Sequence, residues 1–295
     1  MAKRRKRVRG AIRRVVVVAK PGTPEGKRIA QELAAWLRAR RVQVRLDATT
    51  SAALGQRDGV PEGTLPRGTD LVIVAGGDGT LLSVARVAGP LGIPILGVNF
   101  GGLGFMTELQ PEELYAGLER VLHGRYEIEE RDALRVRLKR GRKILGAYAM
   151  LNDAVVTKTA LARMLVIEVR IDKELVATYT SDGLIVATPT GSTAYNLSAG
   201  GPILDPRMSA FVIAPICPHA MSFRPVVVPG WVTIEVTLRS MTEEAYLTLD
   251  GQVGFPMRQL DVLVIDRHPR PVRLVRVAKR GFFEILQRKL RWGGR

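Results

Sequence analysis

Asp78 stands between Gly77 and Gly79 in AGGDGTLL (75–82), directly after the apolar run Leu71-Val72-Ile73-Val74. A carboxylate held among glycines at the end of a strand can accept a proton from a substrate hydroxyl. Glycine lets backbone approach a ligand closely, and exposed N–H groups at the start of a following helix can cradle a phosphate. The same letters also describe a tight turn closed by a local aspartate hydrogen bond. A second glycine-rich loop, VNFGGLGFMTEL (98–109), follows the next apolar run and offers the amide of Asn99. Asn152 and Asp153 set an amide beside a carboxylate, a pair able to bridge vicinal hydroxyls, although Asn-Asp is a common turn dipeptide as well. The most polar stretch is SDGLIVATPTGSTAYNLSAGGPI (181–203), where Ser192, Thr193, Tyr195, Asn196 and Ser198 gather donors and acceptors within seven residues. That density favours a binding segment over a plain loop. KPGTPEGKR (20–28) imitates a phosphate loop, but its glycines are too close and Arg28 stands where a Ser or Thr must reach Mg²⁺.

Loops of this kind need rigid elements to hold them. VVVVAKP (15–21), VQVRL (42–46), DLVIVAGGDG and IPILGVN (93–99) read as strands. They alternate with helix-length segments: residues 24–41 carry Ile29, Leu33, Trp36 and Leu37 at helical spacing, and Leu81, Leu82, Val84, Ala85 and Val87 suit a short helix. Strand–helix alternation predicts a mostly parallel sheet with helices on its faces. Residues 47–68, rich in Gly, Pro and Thr, read as a mobile loop. After about residue 126 the pattern turns to short β-branched runs separated by turn residues, which predicts an all-β, sandwich-like domain. FFEILQRKLRW (282–292) places Phe282, Phe283, Ile285, Leu286 and Leu290 on roughly one face and reads as a helix. The expected layout is a disordered basic arm (1–14), an α/β domain (15–125), a β-rich domain (126–268), and a C-terminal strand and helix (269–295) returning to the first domain.

Composition narrows the function classes. The 295 residues are 46% hydrophobic and 25% charged, ordinary for globular domains. No apolar run approaches the roughly 20 residues of a membrane-spanning helix, so no membrane partner is expected. A single cysteine, Cys217, rules out an internal disulfide and points to a reducing cytoplasm. The net charge of +17 resides in the ends: residues 1–14 hold eight Lys or Arg and no acid, and residues 267–295 hold ten against one Glu. The body between them, with 27 basic and 27 acidic residues, is neutral, so a nucleic-acid partner is not expected.

GGDGT (76–80), GVNFGGLGF (97–105), LND (151–153), TPTGSTAYNLSAGGP (188–202), PICPHAMSFRPVVVP (215–229) and DGQ (250–252) occur in one order. Together they resemble the NAD kinase family, over residues 15 to 293. GGDGT alone is shared with lipid and sphingoid kinases of the same superfamily, which form the alternative reading; the TPTGSTAYN segment is hydrophilic where such enzymes would need an acyl channel.

The resemblance implies transfer of the γ-phosphoryl group of ATP, or in some members of inorganic polyphosphate, to the 2′-hydroxyl of NAD's adenosine ribose. By that resemblance Asp78 is the general base, with Gly79 beside it. Asn152 and Asp153 hold NAD through ribose hydroxyls, and Asp182 contacts its nicotinamide half. Thr190, Thr193, Ala194, Tyr195, Asn196 and Ser198 belong to the segment wrapping adenine and its ribose. Asn99, Arg163 and Gln252 are further cofactor-binding carry-overs. The family also implies Mg²⁺ or another divalent cation on the nucleotide phosphates, and a homo-oligomer, commonly a dimer or tetramer.

Overall fold

The structure is a computed structural model, which describes residues 6–7, 11–20, 22–101, 104–159, 163–240, 245–277 and 280–292. The chain divides into two compact units, one of residues 3–130 with 272–295 and the other of residues 131–271. Most of the expected basic arm, residues 1–5 and 8–10, lies outside the described residues. Its remainder is ordered: Lys6 and Arg7 pair antiparallel with Ile128 and Glu127, and Ile12 is buried.

The first unit is built on one sheet of β1 (Lys6–Arg7), β2 (Arg14–Ala19), β3 (Gln43–Leu46), β4 (Leu71–Ala75), β5 (Ile95–Val98), β6 (Glu127–Arg131) and β19 (Val272–Arg276). Their spatial order is β1-β6-β19-β5-β4-β2-β3. The pairs β2–β3, β2–β4, β4–β5 and β5–β19 are parallel. All five residues of β4 are buried, as a parallel strand covered on both faces requires. Helix α1 (Pro24–Ala39) buries Ile29, Leu33 and Leu37 and starts on Thr23, whose hydroxyl accepts the Gly26 N–H at 3.2 Å.

Three features differ from expectation. The 47–68 segment holds a helix, α2 (Ala48–Ala53), because Asp47 accepts the N–H groups of Thr49 and Thr50; Val60 then pairs with the end of β3 through Val60 N–H to Leu46 O at 2.8 Å. Strand β6 belongs to this sheet, so the units part near residue 130. Helix α6 (Phe282–Leu290) buries Ile285 and Leu286, but Phe283 faces outward. The unit is completed by α3 (Asp78–Leu91) and α4 (Leu114–Leu122).

The second unit contains β7 (Leu134–Arg140), β8 (Lys143–Met150), β9 (Asp153–Lys158), β10 (Leu165–Ile171), β11 (Glu174–Ser181) and β12 (Gly183–Ala187). A short helix α5 (Tyr195–Ser198) follows, then β13 (Ala210–Ile216), β14 (Val226–Pro229), β15 (Ile234–Leu238), β16 (Ala245–Leu249), β17 (Val253–Met257) and β18 (Asp261–Arg267). They form two antiparallel sheets, β11-β10-β15-β18-β7-β8 and β14-β13-β12-β9-β16-β17. Alternation decides the packing. Val136, Ile167 and Val236 of the first sheet enter one core with Val156, Val186, Ile213 and Leu247 of the second. Both predicted architectures, a mostly parallel α/β unit and a β-sandwich, are present.

Candidate functional site

In the first unit the glycine turn ends β4 and α3 begins at Asp78 itself. The Asp78 carboxylate, solitary in the sequence, is paired in the fold. One oxygen accepts the Phe105 N–H at 2.8 Å and the other the Met106 N–H at 3.1 Å. Gly104 is needed beside it, since a Cβ there would lie 2.5 Å from Asp78 Oδ1. Asp78 therefore clasps the second glycine loop to the first, leaving each oxygen a further lone pair. Gly79 is exposed. Asn99 is half-buried, and its Oδ1 accepts the Gly101 N–H at 3.1 Å.

A buried ion group that the sequence does not advertise holds the far end of that second loop. Glu108 accepts from Arg276 Nη1 at 2.7 Å and from the Val277 N–H at 2.7 Å, and Arg276 Nε reaches Glu129 at 2.5 Å. Burial works against the Arg276 charge, but Glu129 and Glu108 outweigh it and hold the guanidinium above its ordinary range. The pairing joins residues 168 positions apart, which no local pattern announces.

In the second unit three of the motifs are wired to one another. Asp250, at the DGQ turn, accepts the N–H groups of Leu151 at 3.1 Å, Asn152 at 2.7 Å and Asp153 at 3.1 Å. Its own N–H returns to Asp153 O at 3.0 Å. Thr188 closes the other side: its hydroxyl donates to Leu151 O at 2.6 Å and accepts the Gly191 N–H at 3.1 Å, while its N–H bonds Asn152 O at 2.8 Å. Gly191 lies flat on Asn152, where a Cβ would come within 2.2 Å of Asn152 O. Asp250, Thr188 and Gly191 are thus organising residues; only the quoted DGQ and TPTG motifs hinted at them.

What this frame presents is a pair of acceptors. Asn152 Oδ1 is buried and has no hydrogen-bond partner. Asp153 is 4% exposed. Burial, and then the charge of Asp250, push its carboxyl up to about 7. A buried carboxyl this close to neutrality is a marker of sites where protonation and ligand binding meet.

The remaining expected residues fall into two groups. Tyr195 and Ser198 are exposed on α5, with Thr193 and Ala194 half-buried before them. Gln252 is exposed, and so is Arg163, which precedes β10. Asp182 is half-buried and paired with Lys158 at 2.9 Å, a partner the sequence did not suggest. Thr190 is buried, its hydroxyl accepting from Arg131 at 3.3 Å. Asn196 departs from expectation: its buried amide nitrogen donates to Ser192 O at 3.0 Å and Pro202 O at 3.1 Å, bracing its own loop. Ser192 does likewise, donating to Pro189 O at 2.7 Å and accepting the Leu204 N–H at 2.9 Å. The donor density of 190–201 is partly the loop's own scaffolding.

Among the described residues no group of three or more His, Cys, Asp or Glu is placed to hold a metal ion, and no helix is long and apolar enough to cross a membrane.

Residues 15–126 match the family model described as the ATP-NAD kinase N-terminal domain, and residues 151–277 match that of the ATP-NAD kinase C-terminal domain. The NAD kinase of Solibacter usitatus is 45% identical, the alignment spanning 95% of this chain and 97% of that protein. The crystal structure of yeast NADH kinase complexed with NADH has a TM-score of 0.85 and 25% identity, covering 97% of this chain and 89% of that one. The structure of an NAD kinase from Archaeoglobus fulgidus in complex with ATP has a TM-score of 0.71 and 26% identity, over 95% and 98% of the two chains.

Proposed function

The chain belongs to the NAD kinase family, and on that premise we propose that it transfers the γ-phosphoryl group of ATP to the 2′-hydroxyl of the adenosine ribose of NAD. The observation that carries the reading is the acceptor pair of Asn152 and Asp153, fixed by three N–H bonds to Asp250 and with Asn152 Oδ1 unpartnered. Such a pair suits the hydroxyls of a ribose, and an acyl chain would leave it unsatisfied. Thr193, Ala194, Tyr195 and Ser198 contact the adenosine half of NAD, with Tyr195 free to stack on the base. Thr190 and Asn196 hold that segment in shape. Asp182, steadied by Lys158, serves the nicotinamide half. Arg163 and Gln252 are assigned supporting contacts on NAD, and Asn99 one beside the glycine turn.

In the reaction the 2′-oxygen attacks the γ-phosphorus, the bond to the β–γ bridging oxygen breaks, and ADP leaves with that electron pair. The hydroxyl proton passes to Asp78. An aspartate carboxylate is a weak base, so Asp78 orients the hydroxyl first and takes the proton late, when the oxygen has begun to bond phosphorus. The Phe105 and Met106 N–H groups fix the carboxylate for this while sparing a lone pair on each oxygen. Gly76, Gly77 and Gly79 give the phosphates access to backbone N–H groups. Phosphoryl transfer asks for positioning and charge stabilisation above all.

The divalent cation, Mg²⁺ or a like ion, is assigned to the donor's phosphates. Asp78 is already occupied by two N–H groups and Glu108 by Arg276, so the loops around the turn offer no bare carboxylate pair for a protein cage, and Mg²⁺ favours phosphate oxygens and retained waters. We place the enzyme in the cytoplasm on the strength of its single cysteine. We also assign it a homo-oligomeric state, a dimer or tetramer, supported by exposed Val226, Val227 and Trp231 along and beside β14 at a sheet edge.

The test is direct. Protein incubated with NAD, ATP and Mg²⁺ is expected to yield a product one phosphate heavier than NAD, accepted by an NADP-specific dehydrogenase. A product that such a dehydrogenase rejects would overturn the 2′ assignment, and no phosphorylated product with ATP or polyphosphate would overturn the reaction.

A further inference from the structure

A cavity of about 300 Å³ lies within the first unit, between β2, the segment around Val60 to Leu65, and α3. We propose that this cavity is the nucleoside-binding site for the phosphoryl donor, holding the adenine and ribose of ATP, with Asp47 accepting a hydrogen bond from the adenine amino group. The inference rests on the kinase reading above and deepens it by choosing a nucleoside triphosphate over polyphosphate.

Size and lining fit a nucleoside. The volume is at the lower end of small-molecule pockets, which are mostly apolar with a few placed polar groups. Val16 and Val18 of β2 form one wall, Val60 and Leu65 another, and Val84 and Val87 of α3 a third. These are flat, apolar surfaces of the kind a purine ring is buried against. The cavity is pre-formed: Asp47 caps α2, and Val60 is tied by backbone bonds to both Leu46 and Ala48.

One polar atom on the lining lacks a partner. Asp47 Oδ2 accepts the Thr49 and Thr50 N–H groups, whereas Asp47 Oδ1 is buried with no hydrogen-bond partner. A buried carboxylate oxygen left unsatisfied is costly, and an N–H donor such as the adenine amine satisfies it. An inorganic polyphosphate chain has no donor to offer and would add negative charge beside it.

The cavity also leads to the chemistry. Thr80 lines it and lies over the glycine turn, since a Cβ on Gly76 would come within 2.7 Å of Thr80 Oγ1. A nucleoside seated here has its triphosphate directed along the first turn of α3, which starts at Asp78. No wall of the cavity comes from residues 131–271, so the donor site uses none of the residues assigned to NAD.

Two variants test this. Asp47→Asn keeps the α2 cap, because asparagine caps as well as aspartate, but turns the free acceptor into a donor. Val87→Phe fills the cavity from its half-buried side. NADP formation is measured with ATP varied at saturating NAD, then with GTP. The expected result is a rise of roughly tenfold to a hundredfold in KM for ATP with Asp47→Asn, a similar rise with Val87→Phe, and an unchanged KM for NAD. Asp47→Asn is also expected to erode any preference for ATP over GTP, whose ring carries an acceptor at the position of the adenine amine. An unchanged KM for ATP in whichever variants fold, judged by thermal melting, overturns the proposal, as does a parallel rise in both Michaelis constants. Should the wild type form no NADP from any donor, the kinase reading fails first. Calorimetric titration of ATP then decides the cavity alone: binding weakened in the variants upholds it, and equal or absent binding in the wild type and variants overturns it.

Discussion

Asp153 couples cofactor binding to protonation, and the structure fixes the direction. Its carboxyl is pushed up to about 7 by burial and by the charge of Asp250. Ribose hydroxyls donate to the ionised form, so NAD binding pulls that carboxyl back down and expels a proton. With a free-protein value of about 7, roughly one-tenth of the protein is ionised at Asp153 at pH 6 and roughly nine-tenths at pH 8. NAD affinity is therefore expected to climb about tenfold from pH 6 to pH 8 and then flatten. At pH 7 binding should release about half a proton, measurable by calorimetry in buffers of different ionisation enthalpy. Asp153→Asn should abolish both the slope and the proton release. An affinity flat across this range, or proton uptake on binding, would refute the argument, because either requires Asp153 to meet NAD as the neutral acid.

The same group makes a stability prediction of definite sign. The folded value of about 7 lies above the 3.8 of an unperturbed aspartate. Its contribution to stability is whole below pH 3.8 and lost as pH rises through 7, reaching on the order of 4 kcal/mol. Asp153→Asn removes the ionisation, so its melting advantage over the wild type, without NAD, should widen from pH 5 to pH 8.

Three further substitutions probe the rest of the frame. Asp78→Asn keeps one acceptor for the loop N–H groups but cannot take a proton; turnover should fall at least about 100-fold while calorimetry shows NAD still bound. Gly191→Ala puts a Cβ 2.2 Å from Asn152 O and must displace that residue, so NAD binding should weaken more than the melting temperature falls. Arg276→Met leaves Glu108 and Glu129 buried without their shared cation, and denaturant unfolding should show a loss of about 3–5 kcal/mol.

What could be read from the sequence divides by distance along the chain. Strand β4, helix α1 and the sandwich strands declare themselves through runs and periodicities a few residues long, and the glycine turns do so through composition. Helix α2 does not: ATTSAA has no apolar stripe, and its existence depends on one side chain, Asp47, capping it. Outward-facing Phe283 shows the reverse error, since a hydrophobic letter at helical spacing need not face the core. Motif membership located the candidate site, but the division of labour inside it was not legible. Asn196 and Tyr195 are neighbours of similar polarity, yet one braces the loop and the other is exposed.

The bonds that separate organisers from contacts span long stretches of chain. Asp250 reaches Asn152 across 98 residues and Glu108 reaches Arg276 across 168. Each of these carboxylates spends its oxygens on partners that position a neighbouring segment, and each is adjacent in the fold to one that is spared. Asp250 takes the N–H groups of 151–153, so Asn152 and Asp153 can present free acceptors. Glu108 anchors the loop whose N–H groups at Phe105 and Met106 hold Asp78 in place. In both units an aspartate at the site is therefore aimed by backbone that a second, remote carboxylate fixes. It follows that Asp250→Ala should harm NAD binding as much as Asp153→Ala does, although Asp250 is assigned no contact with NAD.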